Sequence, residues 1–434
     1  MAEGPEKKLD KCFALILLRT NTLEVQLADW MDWMDLQILF HSLWFPPYTW
    51  GGVGTQTYDL VHALARQGVQ VTVCCGGPST FDNELTENLE IVRLPTIEAP
   101  PRFLWFQLRN RNARILAEKL KKADLLHSQA TSFSLYPFLM RKQKCPWIVS
   151  LHVSPFEELR VLLSTSPWKW NLEDVTTHIL AFPVWTSFNM LELNGADGYV
   201  FCGNATAQKI KERFHYAENK AHVIQNGIDF QKIERILDAS SSTNNSGNPT
   251  LFYCGRLYWR KGIEYLIRAM PYVVKEQKNV ILKVFGKGPL RSRVTSLISA
   301  LHLENNVRLV GYADYDVLIR ELKAADVAVF PSLYEGLSVA MLEAMACSKP
   351  IVAFDFPFTG EIVKNMENGI LVTPKDILEL SKAISFLLSD DKARKRIGNS
   401  AFQYVKKNHD WNVIVQKYLK TYTDTLRDFK SKMA

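Results

Sequence analysis

Two successive series of alternating strand-like and helix-like segments constrain the fold of this chain more than any other feature. The first series has strand-like runs at residues 36–41, 69–75, 89–93, 124–127, 146–151, 197–201 and 221–224. The second has them at residues 250–254, 280–285, 306–310, 326–330, 350–353 and 369–372. Because strands that alternate with helices form parallel sheets with right-handed crossovers, the sequence predicts an α/β fold of two doubly wound, Rossmann-like domains that face each other across a cleft.

The chain length and one polar stretch suggest where these domains lie. At 434 residues the chain is too long for one core and fits two domains of roughly 200 residues. The polar stretch 240–249 lies close to the boundary, which we place just before it, near residue 226. We therefore expect an N-terminal extension over 1–35, a first domain over 36–225, a second domain over 226–400, and C-terminal helices over 401–434 that pack back toward the first domain.

Composition and charge narrow the class of protein. Apolar residues make up 47% and charged residues 22% of the chain, which is the balance of a folded globular protein. The net charge of +7 permits an anionic ligand or membrane surface, and no nucleic-acid partner is expected. The seven cysteines lack metal-ligand spacing and suit a reducing compartment. The longest early apolar run, residues 13–18, is too short to span a bilayer, so we expect a cytoplasmic protein, soluble or peripheral to a membrane.

The fourth strand-like run of the second series leads into a segment where two acidic residues and a helix start coincide. Residues 326–330 end at Pro331, and Gly336 is predicted to open a helix with Glu335 at its N-terminus. Glu343 lies about two turns later, about 80° around the helix axis from Glu335. The free amide groups at this helix start, which would form an anion site, belong to Gly336, Leu337 and Ser338.

Such a segment suits one kind of ligand. An anion site flanked by two carboxylates fits a molecule with phosphates at one end and hydroxyls at the other, and a nucleotide sugar is such a molecule. The segment also lies beyond the carboxyl end of a strand, where open α/β sheets bind ligands. For an isolated pair of glutamates, an ordinary helix with one capping and one solvated carboxylate is the alternative.

Two more loops of the second series point into the same crevice. The loop after the first strand-like run carries Arg256 and Lys261. Arginine can bind phosphate through two parallel hydrogen bonds and lysine acts as a compact charge, whereas a solvated basic loop is the alternative. Arg260 is expected to be solvated. The loop after the next run carries Gly286 and Gly288, which would let a base or a ribose approach the backbone.

The first series supplies less specific candidates. Gly52 lies in a glycine run after the first strand, but no glycine stands five residues later as a dinucleotide fingerprint requires, and a tight turn is the alternative. His152 and His127 each stand at a strand end, where a lone histidine is usually structural, and His127 is the weaker candidate. Gly227 is expected to take a positive φ in a turn near the domain junction.

Taken in order, these motifs resemble those of the retaining glycosyltransferases of family 4, which have the GT-B architecture. The resemblance covers about residues 36–425. Besides the Glu335 to Glu343 segment and His152, the motifs that carry it are Phe45-Pro46-Pro47 with Gly51-Gly52-Val53-Gly54, Asn226-Gly227-Ile228-Asp229, Gly255-Arg256-Leu257 with Lys261-Gly262, and Gly286-Lys287-Gly288-Pro289.

The resemblance implies a role for each candidate. Arg256 and Lys261 would hold the diphosphate of the donor and stabilise its charge as the bond to the sugar breaks. Glu343 would accept hydrogen bonds from the ribose, whereas Glu335 and His152 would lie against the donor sugar. The amides of residues 336–338 would cradle the phosphate, with Gly52 close to it from across the cleft.

No metal and no cofactor are expected. Asp314 and Asp316 have the spacing that another transferase fold uses to hold a divalent ion, but here they are predicted to start a helix. A membrane contact is one interpretation of residues 102–122, a basic and amphipathic segment that could lie on an anionic bilayer. An ordinary helix with a solvated basic face is the favoured alternative.

Two positions depart from the family pattern, and one segment is unusual. Ser348 stands where the family usually has glycine, and the loop 355–361 is bulkier than its usual glycine-rich form. The aromatic-rich stretch 155–190 follows His152 and is expected to shape the acceptor pocket.

We therefore predict a retaining, metal-independent, hexosyltransferase-type glycosyltransferase. Its donor would be a nucleotide-diphosphate sugar, with a UDP- or GDP-sugar favoured, and its acceptor a hydroxyl of a glycan, glycolipid or lipid-linked glycan. The alternatives are a nucleotide-sugar epimerase or hydrolase on the same architecture, and a catalytically silent scaffold subunit of a glycosylation complex.

Overall fold

The computed structural model describes most of the chain beyond the predicted extension. The described residues are 33, 36–47, 51–77, 85–94, 96–97, 102, 104, 106, 114–130, 145–165, 167, 170, 172, 174–239 and 247–433. Apart from Trp33, the predicted extension therefore lies outside the described residues, as does much of the basic segment 102–122. The sequence pattern also predicts a helix over 131–141, and that stretch lies outside them too. Among the helices within these ranges, none has both the length and the apolarity needed to cross a membrane.

Seven parallel strands form the first sheet, in the order β3-β2-β1-β4-β5-β6-β7. The strands are β1 Gln37–Ser42, β2 Gln70–Gly76, β3 Leu89–Leu94, β4 Leu125–Gln129, β5 Trp147–Leu151, β6 Gly198–Phe201 and β7 Ala221–Val223. Nearly every residue of β1, β4 and β5 is buried. Continuous burial of this kind is typical of parallel strands that helices cover on both faces.

Six parallel strands form the second sheet, in the order β10-β9-β8-β11-β12-β13. They are β8 Thr250–Cys254, β9 Ile281–Phe285, β10 Val307–Gly311, β11 Val327–Phe330, β12 Ile351–Phe354 and β13 Ile370–Val372. The strand order reverses at β1 and β4 in the first sheet and at β8 and β11 in the second. Each domain therefore has the doubly wound topology that the sequence predicted, with one switch point where ligands usually bind.

Helices cover both faces of each sheet. In the first half of the chain they are α1 Gly52–Arg66, α2 Arg114–Lys122, α3 Pro155–Leu163, α4 Phe182–Gly195 and α5 Asn204–Lys211. In the second half they are α6 Phe230–Asp238, α7 Ile263–Glu276, α8 Arg291–Ala300, α9 Tyr315–Ala324, α10 Val339–Ala346, α11 Pro357–Gly360, α12 Ile377–Ser389, α13 Asp391–His409 and α14 Trp411–Met433.

The apolar periodicity of the helices decides which side faces the sheet. In α7 the buried residues recur at steps of three and four, which places one apolar stripe toward the second sheet. A separate cluster on the opposite face of that sheet joins α6, α9, α10 and α13. In α2, the described part of the basic segment, Leu116 and Leu120 are buried while Lys119 pairs with Glu90 of β3.

The C-terminal part of the chain returns to the first domain. Its predicted helical stretch is two helices, α13 and α14, interrupted at Asp410. Trp411, Leu419 and Tyr422 of α14 are buried in the same apolar cluster as residues of β1, β2 and α1. The last helix follows the second domain in sequence but completes the core of the first domain.

Ser348 shows what the departure from glycine means for the backbone. It lies two residues after the end of α10 and has a φ of +60°, in the left-handed region where residues other than glycine are strained. A left-handed residue just beyond a helix end is the usual position of a terminating glycine.

We expect Ser348→Gly to stabilise the protein by about 1 kcal/mol, because glycine removes this strain at some cost in unfolded-state entropy. Chemical denaturation of both proteins would measure the difference. Ser348→Ala is the control and should bring no gain, since alanine meets the same restriction on φ. A Ser348→Gly protein less stable than the wild type would contradict the strain interpretation.

Candidate active site

The second sheet brings two loops together at its switch point. β8 and β11 are neighbours, so the loop after β8 and the loop after β11 leave the sheet side by side. They touch at Gly262, whose φ is +68° and where a Cβ would lie 1.7 Å from the carbonyl oxygen of Pro331. Only glycine fits there, and the contact sets the two loops in register.

Lys261 and Glu335 form an ion pair across these loops. The hydroxyl of Ser332 also donates a hydrogen bond of 2.9 Å to the Glu335 carboxylate. Burial alone would raise the pKa of Glu335, but the charges of Lys261 and Arg260 and the two hydrogen bonds hold that pKa below its ordinary value. Glu335 is therefore ionised at neutral pH, and it holds the Lys261 ammonium at the mouth of the crevice.

The segment after Glu335 differs from the sequence prediction at one point. The helix α10 begins at Val339 with Ser338 at its N-cap, so Gly336 does not open the helix and Glu335 lies in the loop before it. The predicted 80° relation between Glu335 and Glu343 on one helix is therefore wrong. The reason is local: residues 331–338 extend the chain away from the strand before any helical turn forms.

The extended loop nevertheless leaves free donors. The backbone amides of Gly336, Leu337 and Ser338 donate no hydrogen bond to any residue within the described ranges. All three residues are buried, and buried amides without partners are rare in proteins. Together with the N-terminus of α10 they are a group of unpaired donors beside the Lys261–Glu335 pair, at the place where the sequence predicts an anion site.

The first domain meets this loop at His152. A Cβ at Gly336 would lie 2.0 Å from the His152 carbonyl oxygen, so glycine is needed for the two domains to touch here. The His152 ring is partly exposed, and its Nε2–H donates to the side-chain oxygen of Gln129 at 2.6 Å. Burial lowers the pKa of His152 to about 4, so the ring is neutral. The structure thus places His152 beside the predicted anion site.

Glu343 lies at the other end of the site. Its carboxyl is buried and interacts with three groups: Tyr315, which hydrogen bonds to it, Asp59 of the first domain, and Lys232. Burial, with the nearby charge of Asp59, raises the pKa of Glu343 to about 8.

Two further candidates, Arg256 and Gly52, are exposed. The guanidinium carbon of Arg256 is 5.2 Å from the centre of the Tyr258 ring. Gly52 is the exposed first residue of α1, and a Cβ there would meet nothing within 4 Å. Packing therefore does not require a glycine at position 52.

Gly286 and Gly288 serve a contact between loops. A Cβ at Gly286, whose φ is +132°, would lie 2.0 Å from the Gly255 carbonyl oxygen, and one at Gly288 would lie 2.4 Å from that of Leu257. The close approach visible in the structure is thus to the loop that carries Arg256. That a base or a ribose also approaches the backbone at Gly286 and Gly288 stays a prediction.

His127, the weaker of the two histidine candidates, is a structural residue, because it is fully buried and its two ring nitrogens are 2.7 Å from the hydroxyls of Tyr422 and Ser150. The prediction of a positive φ at Gly227 is wrong. This residue is glycine because a Cβ would lie 2.6 Å from the ring of Trp411, where the last helix crosses the domain junction.

The sequence also missed a set of contacts between the domains. Arg260, which we expected to be solvated, forms an ion pair with Glu158, a buried residue of α3. Glu361 of the bulky loop 355–361 accepts hydrogen bonds from the amides of Asn204 and Ala205 at the start of α5. A glutamate in the sequence does not indicate which residue it will pair with. Glu158 and Arg260 are 102 residues apart, and Glu361 and Asn204 are 157 residues apart, so only the fold brings each pair together.

The described residues include no group of three or more histidine, cysteine or acidic side chains that could hold a metal ion. Asp314 lies at the N-cap of α9 and Asp316 in its first turn, as the sequence predicted.

In a comparison with known proteins, both halves of the chain match glycosyltransferase families. Residues 234–404 match the glycosyl transferases of group 1, and residues 50–232 match glycosyltransferase family 4. Over 389 residues the chain is 26% identical to an uncharacterised glycosyltransferase of Methanocaldococcus jannaschii, covering 87% of this chain and 95% of that one.

Two solved structures share the GT-B fold. Sucrose-phosphate synthase of Thermosynechococcus elongatus superimposes with a TM-score of 0.76 at 21% identity, over 91% of this chain and 100% of that one. The Anabaena protein Alr3699/HepE, solved in complex with UDP, superimposes with a TM-score of 0.68 at 19% identity, over 90% of this chain and 100% of that one.

We expect Glu343→Gln to remove a pH dependence of stability. A carboxyl whose folded pKa is about 8 keeps its proton in the fold but loses it in the unfolded chain above pH ~4.5, so its contribution to stability falls as pH rises between these values. The slope is up to about 1.4 kcal/mol per pH unit. The free energy of unfolding of the variant, relative to wild type, should therefore increase from pH 5 to pH 8.

Urea denaturation across this range would measure the effect. Glu367→Gln, which changes an exposed glutamate of the same domain, is the matched control and should show a constant difference from wild type. A constant difference for Glu343→Gln as well would mean that Glu343 is ionised throughout.

Proposed function

We propose that this chain, which belongs to the glycosyl transferases of group 1 and family 4, is a retaining, metal-independent hexosyltransferase. It would move a sugar from a nucleotide-diphosphate sugar to a hydroxyl of a glycan, glycolipid or lipid-linked acceptor. The observation that carries the proposal is the set of unpaired amides at residues 336–338 beside the Lys261–Glu335 pair, at the switch point of the second sheet.

The diphosphate would lie on those amides, with Lys261 against its oxygens. Fixed donors in a site that excludes water stabilise the charge that develops on the leaving diphosphate, and they need little reorganisation to do so. Arg256, on the rim, would reach the same phosphates from the solvent side. With these cations and amides the leaving group has the charge stabilisation that a divalent ion supplies elsewhere.

The nucleoside would extend from the phosphates toward Glu343. The Glu343 carboxyl would accept hydrogen bonds from the ribose hydroxyls, in place of the hydrogen bond that it shares with Tyr315 in the free protein. Gly286 and Gly288 would lie beside the base. The complex of the related fold Alr3699/HepE with UDP supports a uridine nucleotide as the first donor to test.

The sugar would lie between Glu335 and His152, where the two domains touch. Neutral His152 can hydrogen bond a sugar hydroxyl, and Gly52 at the start of α1 would face the sugar from the first domain. Because Glu335 is held in an ion pair with Lys261, it is poorly placed to act as a covalent nucleophile. We therefore infer a same-face attack, in which the leaving phosphate accepts the proton of the acceptor hydroxyl.

The acceptor would enter from the first domain, and closure of the cleft would align it and exclude water. A position at the cytoplasmic face of a membrane, where residues 102–122 would meet anionic lipid, is part of this proposal. It rests on the sequence pattern of that segment.

Lys261→Ala should lower kcat by about 100- to 1,000-fold, the loss that follows removal of one charge-stabilising donor from such a site. The assay would follow sugar transfer from UDP- and GDP-sugars to candidate acceptors with EDTA present, and EDTA should leave the wild-type rate unchanged. Lys275→Ala, an exposed lysine at the end of α7, is the control and should retain wild-type kcat.

Three outcomes would contradict the proposal. Loss of activity in EDTA that Mg²⁺ or Mn²⁺ restores would exclude metal independence. Consumption of donor at full rate without any acceptor would indicate an epimerase or hydrolase. The absence of a thermal shift with every UDP-, GDP-, ADP- and dTDP-sugar would exclude the donor site, since a ligand at 100 times its Kd should stabilise the protein by about 2.7 kcal/mol.

A further inference from the structure

One stretch of the first domain is attached to the second domain by buried polar contacts. We call it the strap, which comprises the described residues 154–165, 167, 170, 172 and 174–180 and begins two residues after His152. At its start the backbone amide of Ser154 donates a hydrogen bond of 2.8 Å to the hydroxyl oxygen of Tyr334, the residue before Glu335. Ser154 is fully buried, so this bond is shielded from water.

The strap contacts the turn before Gly262 at two consecutive residues of that turn, Trp259 and Arg260. The carboxylate of Glu158, which is 6% exposed, forms an ion pair with Arg260. The carboxylate of Asp174, which is 0% exposed, accepts a hydrogen bond of 3.1 Å from the indole N–H of Trp259. A buried carboxylate is stable only where a partner of this kind compensates for its lost hydration.

Apolar packing reinforces the polar contacts. Leu162 of the strap is fully buried within the core cluster of the second domain, together with Tyr258 and Trp259. The strap therefore belongs to the first domain by chain connectivity and to the second domain by packing. The expectation that the aromatic-rich stretch 155–190 shapes the acceptor pocket stays a prediction beside these contacts.

The held turn is the one that places Lys261. The Trp259–Lys261 segment is a single 3₁₀ turn, and the carbonyl oxygen of Arg260 accepts a hydrogen bond of 2.7 Å from the amide of Leu333. A shift of Arg260 would therefore move both Lys261 and the loop that carries Glu335. A displacement of about 1 Å in a reacting group is enough to cost a large factor in rate.

We propose that Glu158 and Asp174 are positioning residues of the donor-diphosphate site, which act from the first domain by fixing the Trp259–Lys261 turn. The inference rests on the proposed function of Lys261. The same strap begins beside His152, so it sets the sugar-binding side of the first domain in register with the phosphate-binding side of the second. Its removal should affect the phosphate end of the donor and not the nucleoside end, which lies at Glu343.

The test compares binding of a nucleoside diphosphate with binding of the nucleoside alone. Ligand-observed NMR titrations of UDP and GDP, and of uridine and guanosine, would be made on wild type, Glu158→Gln and Asp174→Asn. We expect each variant to weaken binding of the preferred diphosphate about tenfold and to leave binding of its nucleoside within twofold. A purely structural defect would weaken both equally.

Two further variants make the test specific. Glu157→Gln is the matched control, because Glu157 is the neighbour of Glu158 on α3 but pairs with Arg160 of its own helix at 3.2 Å, and it should retain wild-type affinities. If Glu158 acts through Arg260, the double variant Glu158→Gln/Arg260→Gln should bind UDP or GDP no more weakly than Arg260→Gln alone. If Glu158→Gln does not fold, Asp174→Asn carries the same comparison.

The outcomes separate this inference from the proposed function. A wild type that binds neither UDP nor GDP overturns both. A wild type that binds one of them, with both variants retaining its affinity within twofold, overturns the role of the strap alone. Equal losses for diphosphate and nucleoside also overturn it.

Discussion

The ion pair between Lys261 and Glu335 is the interaction on which the site depends. It joins two loops that belong to different crossovers and meet only because β8 and β11 are neighbours in the sheet. Both side chains are partly buried, so removing one partner would leave the other charge without compensation in a partly desolvated site. The pair joins the loop of residues 331–338 to the loop after β8, and within that loop the amides of residues 336–338 have no backbone acceptor.

The contact between the domains uses the same elements. Gly336 lets the loop after β11 reach the backbone of His152, and the strap holds the turn that carries Lys261. Glu361 adds a third attachment by capping α5 from the second domain. The groups proposed to bind phosphate are therefore held in place by side chains of both domains, which connects closure of the cleft to the geometry of the donor site.

The sequence predicted both sheets, their doubly wound form and the convergence of Lys261, Glu335 and the amides of residues 336–338, because these follow from local apolar patterns and from the rule for parallel strands. It did not predict where α10 begins, since an extended loop before a helix has no strong pattern. It also could not predict the partner of Arg260 or the buried state of His127, which depend on residues far away in the chain.

A crystal structure of the protein with UDP or GDP, grown in the presence of EDTA, would test the central claim most directly. We expect a diphosphate on the amides of residues 336–338 and on Lys261, without a metal ion, and ribose hydroxyls on Glu343 in place of Tyr315. A nucleotide bound elsewhere would contradict it, and so would a diphosphate that contacts the protein only through a metal ion.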